Sequence, residues 1–254
     1  WCGRKGPGGD LPEGSHPVPE HLSWDLWLGP APYRPYHPHY IHAPDSAKGN
    51  LTWNRYWDFG NGTLGDMGSH LIDLPFWALD LRHPTTVEAT GSPVNPHTNP
   101  MWLIATWEHP ARGDMPPVKL TWYDADKRPE SLLGIDLTQW NIGVLFIGDE
   151  GRLLADYGKH ILLPNKDYRG FKPPTMQIPP SPGHYEEWLL GCKTGSPTLC
   201  NFDYSGLLIE NNLLGNVAYR VGRKIEWDAA NLKAVGCPEA DKFIRREYRA
   251  GWTL

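Results

Sequence analysis

The chain has 254 residues, 40% apolar and 21% charged, which is enough to bury a sizeable core and fits one large globular domain better than a disordered or fibrous chain. Its net charge of −5, with the two signs interspersed and no run of Lys or Arg, gives nothing that could neutralise a row of phosphates, so nucleic acid is not an expected partner. No apolar stretch approaches the roughly 20 residues needed to cross a bilayer, and no signal-like segment opens the sequence; a soluble protein with no membrane partner is expected, and the sequence carries no address for a compartment.

The opening, Trp1-Cys2-Gly3-Arg4-Lys5, reads as a strand already in progress. Residues 6–64 follow with many Pro, Gly, His and aromatic residues and little periodicity. The density of Trp and Tyr between Trp24 and Trp57 argues against disorder, so this stretch is expected to be an ordered, loop-rich arm wrapping a scaffold. With 13 Trp and 11 Tyr in the chain, flat aromatic faces beside polar groups would suit carbohydrate, although most such rings fill cores and pin loops. The four cysteines, Cys2, Cys192, Cys200 and Cys237, have neither metal-finger nor disulfide-scaffold spacing, and only Cys192 with Cys200 could form a bridge.

Between Leu64 and Leu81 the pattern becomes helical. Leu64, Met67, Leu71, Leu74 and Ala78 form one apolar side, and the helix is expected to end near Arg82-His83-Pro84. Strands are expected at Thr86–Val94, Trp102–Glu108, Val118–Tyr123, Ile142–Ile147, Arg152–Asp156 and His160–Leu163, with turns between neighbours that make the pairing antiparallel. A Pro-rich crossing at Lys172–Pro182 leads to helices at Gly183–Cys192, Tyr204–Gly222 and Pro238–Ala250, with a short strand at Lys224–Trp227. Strands and helices segregated this way predict an α+β fold: a large, mostly antiparallel sheet with helices packed on one face and long aromatic and Pro-rich loops. It is read as one unit over 1–254, an arm at 1–64 and an α+β core at 65–254. The Tyr204–Gly222 helix is apolar on nearly every side and needs cover from elsewhere, or it exposes an apolar patch.

Gly60-x-Gly62-x-x-Gly65 precedes a helix and superficially matches a dinucleotide fingerprint. The residues before it, Trp53-Asn-Arg-Tyr-Trp-Asp58, are polar and aromatic rather than a buried strand, so the preferred reading is a glycine loop that brings backbone close to another ligand. The helix after it places Asp66, His70, Asp73 and Trp77 at i, i+4, i+7 and i+11, one polar stripe. Asp66, expected in the first turn where the helix dipole favours a carboxylate, can orient His70, and an imidazole exchanges protons near neutral pH. The same spacing also fits a capping Asp66 and an ordinary surface pair. A metal on Asp66, His70 and Asp73, helped by His37, His39 or His42, is not expected, since three ligands on successive turns of one helix rarely converge on one ion. Two sequons, Asn50-Leu-Thr52 and Asn61-Gly-Thr63, are common by chance. Serine-hydrolase and phosphate-loop motifs do not occur, whereas facing carboxylates for glycoside hydrolysis could come from Asp58, Asp66, Asp73 or Asp124.

Several long motifs then occur in one order. Leu22-Ser-Trp-Asp-Leu-Trp-Leu-Gly-Pro-Ala-Pro-Tyr-Arg-Pro-Tyr-His37 is followed by Tyr56-Trp-Asp-Phe-Gly-Asn-Gly-Thr-Leu-Gly-Asp-Met-Gly-Ser-His-Leu-Ile-Asp73, Leu120-Thr-Trp-Tyr-Asp124, Asn201-Phe-Asp-Tyr204 and Ile225-Glu-Trp-Asp228. Together they resemble the Gfo/Idh/MocA oxidoreductases, the planctomycete-type subgroup in particular. The resemblance implies a C-terminal substrate domain whose sheet face makes homo-oligomer contacts, while NAD(P) binds an N-terminal Rossmann half that is not in this chain. It implies His70 as proton acceptor and Asp66 as its partner, acting on a carbohydrate or polyol. Trp57, Asp58, Asn61, Asp73, Tyr123, Asp124 and His184 are the accompanying substrate-binding candidates. The family's Glu-Lys-Pro lysine has no counterpart here. Three functions fit: the sugar-active part of an NAD(P)-dependent oxidoreductase, a cofactor-independent glycoside hydrolase or lyase using the Asp66/His70 face, or a non-catalytic sugar-binding or oligomerising module.

Overall fold

The computed structural model describes residues 1–6, 8–42, 51–129, 140–175, 178 and 180–253. Asn50 of the first sequon and part of the Lys172–Pro182 crossing lie outside them. The architecture is α+β. β1 (Thr86–Gly91), β2 (Leu103–His109) and β3 (Val118–Tyr123) form an antiparallel meander that β7 (Ile225–Asp228) and β8 (Lys233–Ala234) extend, in the order β3-β2-β1-β7-β8. β4 (Val144–Ile147), β5 (Arg152–Ala155) and β6 (His160–Leu163) form a second, three-stranded sheet, so the single sheet expected from sequence is two. Residues 1–3 lie between them. Cys2 bridges Asp124 in parallel and Ile142 in antiparallel fashion, and the strand read in Trp1–Lys5 is reduced to this bridge.

Alternation decides which face of the large sheet is buried. Val87, Leu103, Ala105, Trp107 and Trp122 point one way and are buried, while Glu88, Thr90, Glu108 and Lys119 point to the other side and are exposed. The buried face is covered by α5 (Phe202–Val221), and α2 (Gly62–Leu71) packs behind it. The cover that α5 needs therefore comes from the chain's own sheet and α2. Gly215 allows the close approach: a methyl there would lie 2.7 Å from both Leu64 Cδ2 and Trp107 Cζ2. On α5 itself Phe202 and Ile209 stay exposed, and α4 (His184–Thr194) has no buried residue, with Tyr185 and Trp188 open to solvent.

The helix expected from Leu64 to Leu81 is broken. α2 ends at Leu71 and α3 (Asp73–Ala78) restarts after Ile72, because Pro75 has no N–H to donate to the Leu71 carbonyl and its ring clashes with that turn. The break re-aims the second half: Ile72, Pro75 and Phe76 are buried, whereas Leu74 and Ala78, expected on the apolar side, are exposed. The helix expected at Pro238–Ala250 shrinks to a 3-10 turn (Pro238–Ala240) and α6 (Asp241–Ile244). Beyond it the chain is drawn out by tertiary bonds: Arg246 donates to Trp57 O and Asp58 O, and Arg249 to Asp25, Gly29 and Ala31.

The arm has a core of its own. Trp24 and Leu28 of α1 (Trp24–Leu28) pack with Tyr36, Tyr40 and Tyr56. Trp24 stacks on Trp27 at 4.6 Å, and Tyr40 meets Tyr56 edge-on at 4.9 Å, an arrangement worth more than its buried area alone. All four cysteines are free thiols, Cys192 and Cys200 included. Among the described residues no helix is long and apolar enough to cross a membrane.

Candidate active site

The structure gives the glycine loop a packing role. It follows a 3-10 turn (Thr52–Arg55), not a strand, and Asn54 Oδ1 accepts from the backbone N–H of Asn61 and Gly62 at 3.2 and 3.1 Å. Gly62 has φ +65°, and a Cβ there would lie 2.7 Å from the Asn99 side chain. The neighbours that require glycine are thus asparagines of this chain. α2 begins at Gly62, so Asp66 lies in its second turn, beyond the terminal N–H groups, and the first turn carries no acid. What Asp66 has in place of the dipole is Arg4.

Arg4 Nη1 donates to Asp66 Oδ2 in an ion pair whose side chains are each 31% exposed. His70 stands one turn along the same helix, exposed, and no hydrogen bond joins it to Asp66 among the described residues. Its ring meets Tyr157 edge-on at 6.2 Å. Tyr157 lies largely exposed in the turn between β5 and β6, and the partial burial it has raises its phenol above the usual range, with the charges of Cys2 and Asp66 adding to the shift. One open face therefore carries a carboxylate fixed by a guanidinium, an unencumbered imidazole and a phenol. A ligand hydroxyl set there could give hydrogen bonds to Asp66, take them from Arg4, and pass its proton to His70.

The other expected residues are dispersed. Asp73, at the start of α3, accepts from Tyr204 Oη at 2.6 Å and so ties α3 to α5; burial, then that bond, pushes the Tyr204 phenol far above its usual range. Asp124 is 2% exposed, with Oδ1 accepting from Leu103 N at 2.6 Å and Oδ2 from Trp122 Nε1 at 3.3 Å. Burial pushes its carboxyl up to about 7. Tyr123 beside it is half-buried and its carbonyl accepts from Cys2 N at 2.9 Å. Trp57 is buried, donates Nε1 to Asn95 O at 3.2 Å and lays its ring on Arg220. Asp58 is ion-paired with Arg34 at 2.7 Å and lines a cleft of about 340 Å³ with Trp27, Trp53, Phe59 and Arg246. Asn61 is exposed, and its carbonyl accepts from Asn216 Nδ2 at 3.0 Å. His184 opens the exposed α4, where its ring contact is with Tyr185. Among the described residues no three His, Cys, Asp or Glu side chains are grouped to hold a metal.

Arg4 and Tyr157 were not singled out from sequence. Arg4 meets Asp66 across 62 positions, which no local spacing encodes. Tyr157 had a weak signal, an aromatic beside Gly158 in a tight turn between two strands, where a ring has little to bury it.

Residues 8–109 match the family of Gfo/Idh/MocA proteins described as "Oxidoreductase family, C-terminal alpha/beta domain". The matched segment runs from the arm through α2 and α3 to the end of β2, and includes Asp66 and His70. No curated protein matches the chain.

Proposed function

We propose that the chain, whose residues 8–109 match the C-terminal α/β domain of the Gfo/Idh/MocA oxidoreductases, supplies the substrate side of an NAD(P)-dependent oxidoreductase acting on a hydroxyl of a carbohydrate or polyol. The observation that carries this reading is the open face of α2, where exposed His70 stands beside an Asp66 carboxylate already charge-matched by Arg4. Proteins of this family generally use NAD(P), which would supply the hydride acceptor for such an oxidation. The dinucleotide does not fit the described residues of this chain. Its one fingerprint-like loop follows no strand and is filled by Asn54 and Asn99, so the steps assigned here are those of the chain's own groups.

His70 takes the hydroxyl proton as the carbinol is oxidised. Asp66 accepts a hydrogen bond from a neighbouring sugar hydroxyl, and Arg4, holding Asp66, offers its remaining N–H donors to a ring or hydroxyl oxygen. Tyr157 closes one side of the imidazole.

The experiment follows binding and turnover together. Addition of hexoses and linear polyols should shift the His70 imidazole C–H resonances, and in the assembled oxidoreductase, with its nucleotide side supplied, reduction of NAD(P) by the bound sugar should fall about 10²-fold or more in His70→Ala while the fold is kept. A panel of sugars and polyols that leaves those resonances unmoved would overturn the sugar reading. Release of reducing sugar without any nicotinamide, lost in His70→Ala, would replace oxidation with hydrolysis.

A further inference from the structure

Away from that face, Arg220 of α5 is held in an arrangement that none of the preceding chemistry uses. Its guanidinium carbon lies over two aromatic rings, 4.6 Å from the Trp57 ring centroid and 4.0 Å from that of Phe243. Stacking occupies the faces of a guanidinium and leaves its N–H donors, which lie in the plane, uncommitted. Among the described residues Arg220 makes no hydrogen bond and no ion pair. Lys242, 4.9 Å from the same Phe243 ring, has no salt bridge there either. Both side chains line a cavity of about 540 Å³ with Val94, Asn95, Pro96 and Phe243, a size usual for small-molecule sites.

Carboxylates act on these cations only at longer range, Asp58 on Arg220 and Glu239 on Lys242, and neither forms a salt bridge with them among the described residues. Burial, and then the neighbouring Arg246, lower the Arg220 pKa to about 10, so the group remains a cation at physiological pH. Asp58, the carboxylate that most supports it, is committed to Arg34 at 2.7 Å. Asp10 accepts from Asn95 Nδ2 at 2.9 Å, and the Asn95 side-chain oxygen is used by the His97 and Thr98 amides, which fixes that wall. A partly buried cation with free donors in a fixed plane calls for an external anion that can take two parallel hydrogen bonds.

We propose that this cavity binds a small molecule bearing an oxyanion, a carboxylate or a phosphate, gripped by Arg220 and Lys242 with its apolar body against Val94, Pro96 and Phe243. None of these residues belongs to the Arg4, Asp66, His70 and Tyr157 face, so the site does not depend on the oxidoreductase reading. The Trp57 indole stacked on Arg220 is a built-in reporter.

Titration calorimetry and Trp fluorescence with sodium benzoate and with phenyl phosphate, each against sodium chloride at matched ionic strength, test it. Binding of the phosphate alone, of the carboxylate alone, or of both supports the proposal and tells which oxyanion is preferred. Affinity should drop about tenfold or more in Arg220→Lys, which keeps the charge but loses the planar fork, and measurably in Lys242→Gln, which lies on the exposed side of a short helix. Absence of heat with both probes, a response equal to that of chloride, or affinities unchanged in both variants would overturn it.

Discussion

Asp66 and Asp124 are the same residue type, both marked out by sequence, and both touched by the segment that opens the chain, yet they occupy opposite environments. Asp66 lies on an open helix face with Arg4 against it. Asp124 lies at the end of β3, sealed between the Leu103 amide and the Trp122 indole, with no salt bridge among the described residues. The first is charge-matched and reachable by a ligand. The second is a strand clamp that holds a proton more tightly than a solvated carboxylate does. Access and charge matching, more than residue type, separate a group suited to chemistry from one suited to structure.

The sharpest way to break this comparison is pH. The Asp124 carboxyl is raised from 3.8 to about 7, so between those values the native state holds a proton that the unfolded chain has released. Stability contributed by this group is complete below about pH 4 and is lost as pH rises to about 7, a swing on the order of 4 kcal/mol. Asp124→Asn keeps an acceptor for Leu103 N and does not titrate. Urea denaturation should show the variant gaining on the parent as pH rises from 4 to 7. A difference that stays flat with pH would mean that Asp124 is solvated in the fold. His109, buried in β2, opposes the trend in both proteins: burial lowers it from 6.5 to about 4, so its contribution is present above pH 6.5 and lost toward pH 4. The comparison must therefore be made variant against parent.

The same contrast between local and distant causes decides what could be read from the chain. β3 and β6 have the ends expected of them, because alternating residues between turn signals specify a strand locally. Apolar spacing continues across Ile72 and predicts one helix over α2 and α3, and only the missing Pro75 amide stops the ladder. The expected Pro238–Ala250 helix failed for a long-range reason: Arg246 and Arg249 find backbone carbonyls of the arm about two hundred positions away. The site divides in the same way. Asp66 and His70 share one helix and were legible, whereas Arg4 and Tyr157 arrive through the bridge between the sheets and the β5–β6 turn, which no single window contains.

The packing side of α2 offers a second, smaller test. In Gly215→Ala the new methyl would meet Leu64 Cδ2 and Trp107 Cζ2 at 2.7 Å and Ala105 Cβ at 3.2 Å, all in the sealed core. Overpacking of this kind costs typically 1–3 kcal/mol, partly offset by the better helix propensity of alanine, so a net loss of about 1 kcal/mol is expected in thermal or urea denaturation. Ligand binding on the outer face of α2 should be unchanged. A weakened ligand at unchanged stability would show that the α2–α5 seam, and not the outer face, is the functional surface.

Arg4 gives the smallest effect on stability and the most informative one on function. Its pair with Asp66 is about one-third exposed on each side, and pairs of that exposure are worth at most about 1 kcal/mol, so Arg4→Gln should shift denaturation by less than that. Glutamine can still donate one hydrogen bond to Asp66 but cannot match its charge or offer a second donor to substrate. If Arg4 holds the sugar equally in ground and transition states, the variant raises KM with kcat nearly unchanged. If its purpose is to set the Asp66 charge beside His70 as the proton leaves, kcat falls instead and KM barely moves. Steady-state kinetics of Arg4→Gln beside His70→Ala, with the nucleotide side supplied, separates these roles, and unchanged values of both constants would remove Arg4 from the site altogether.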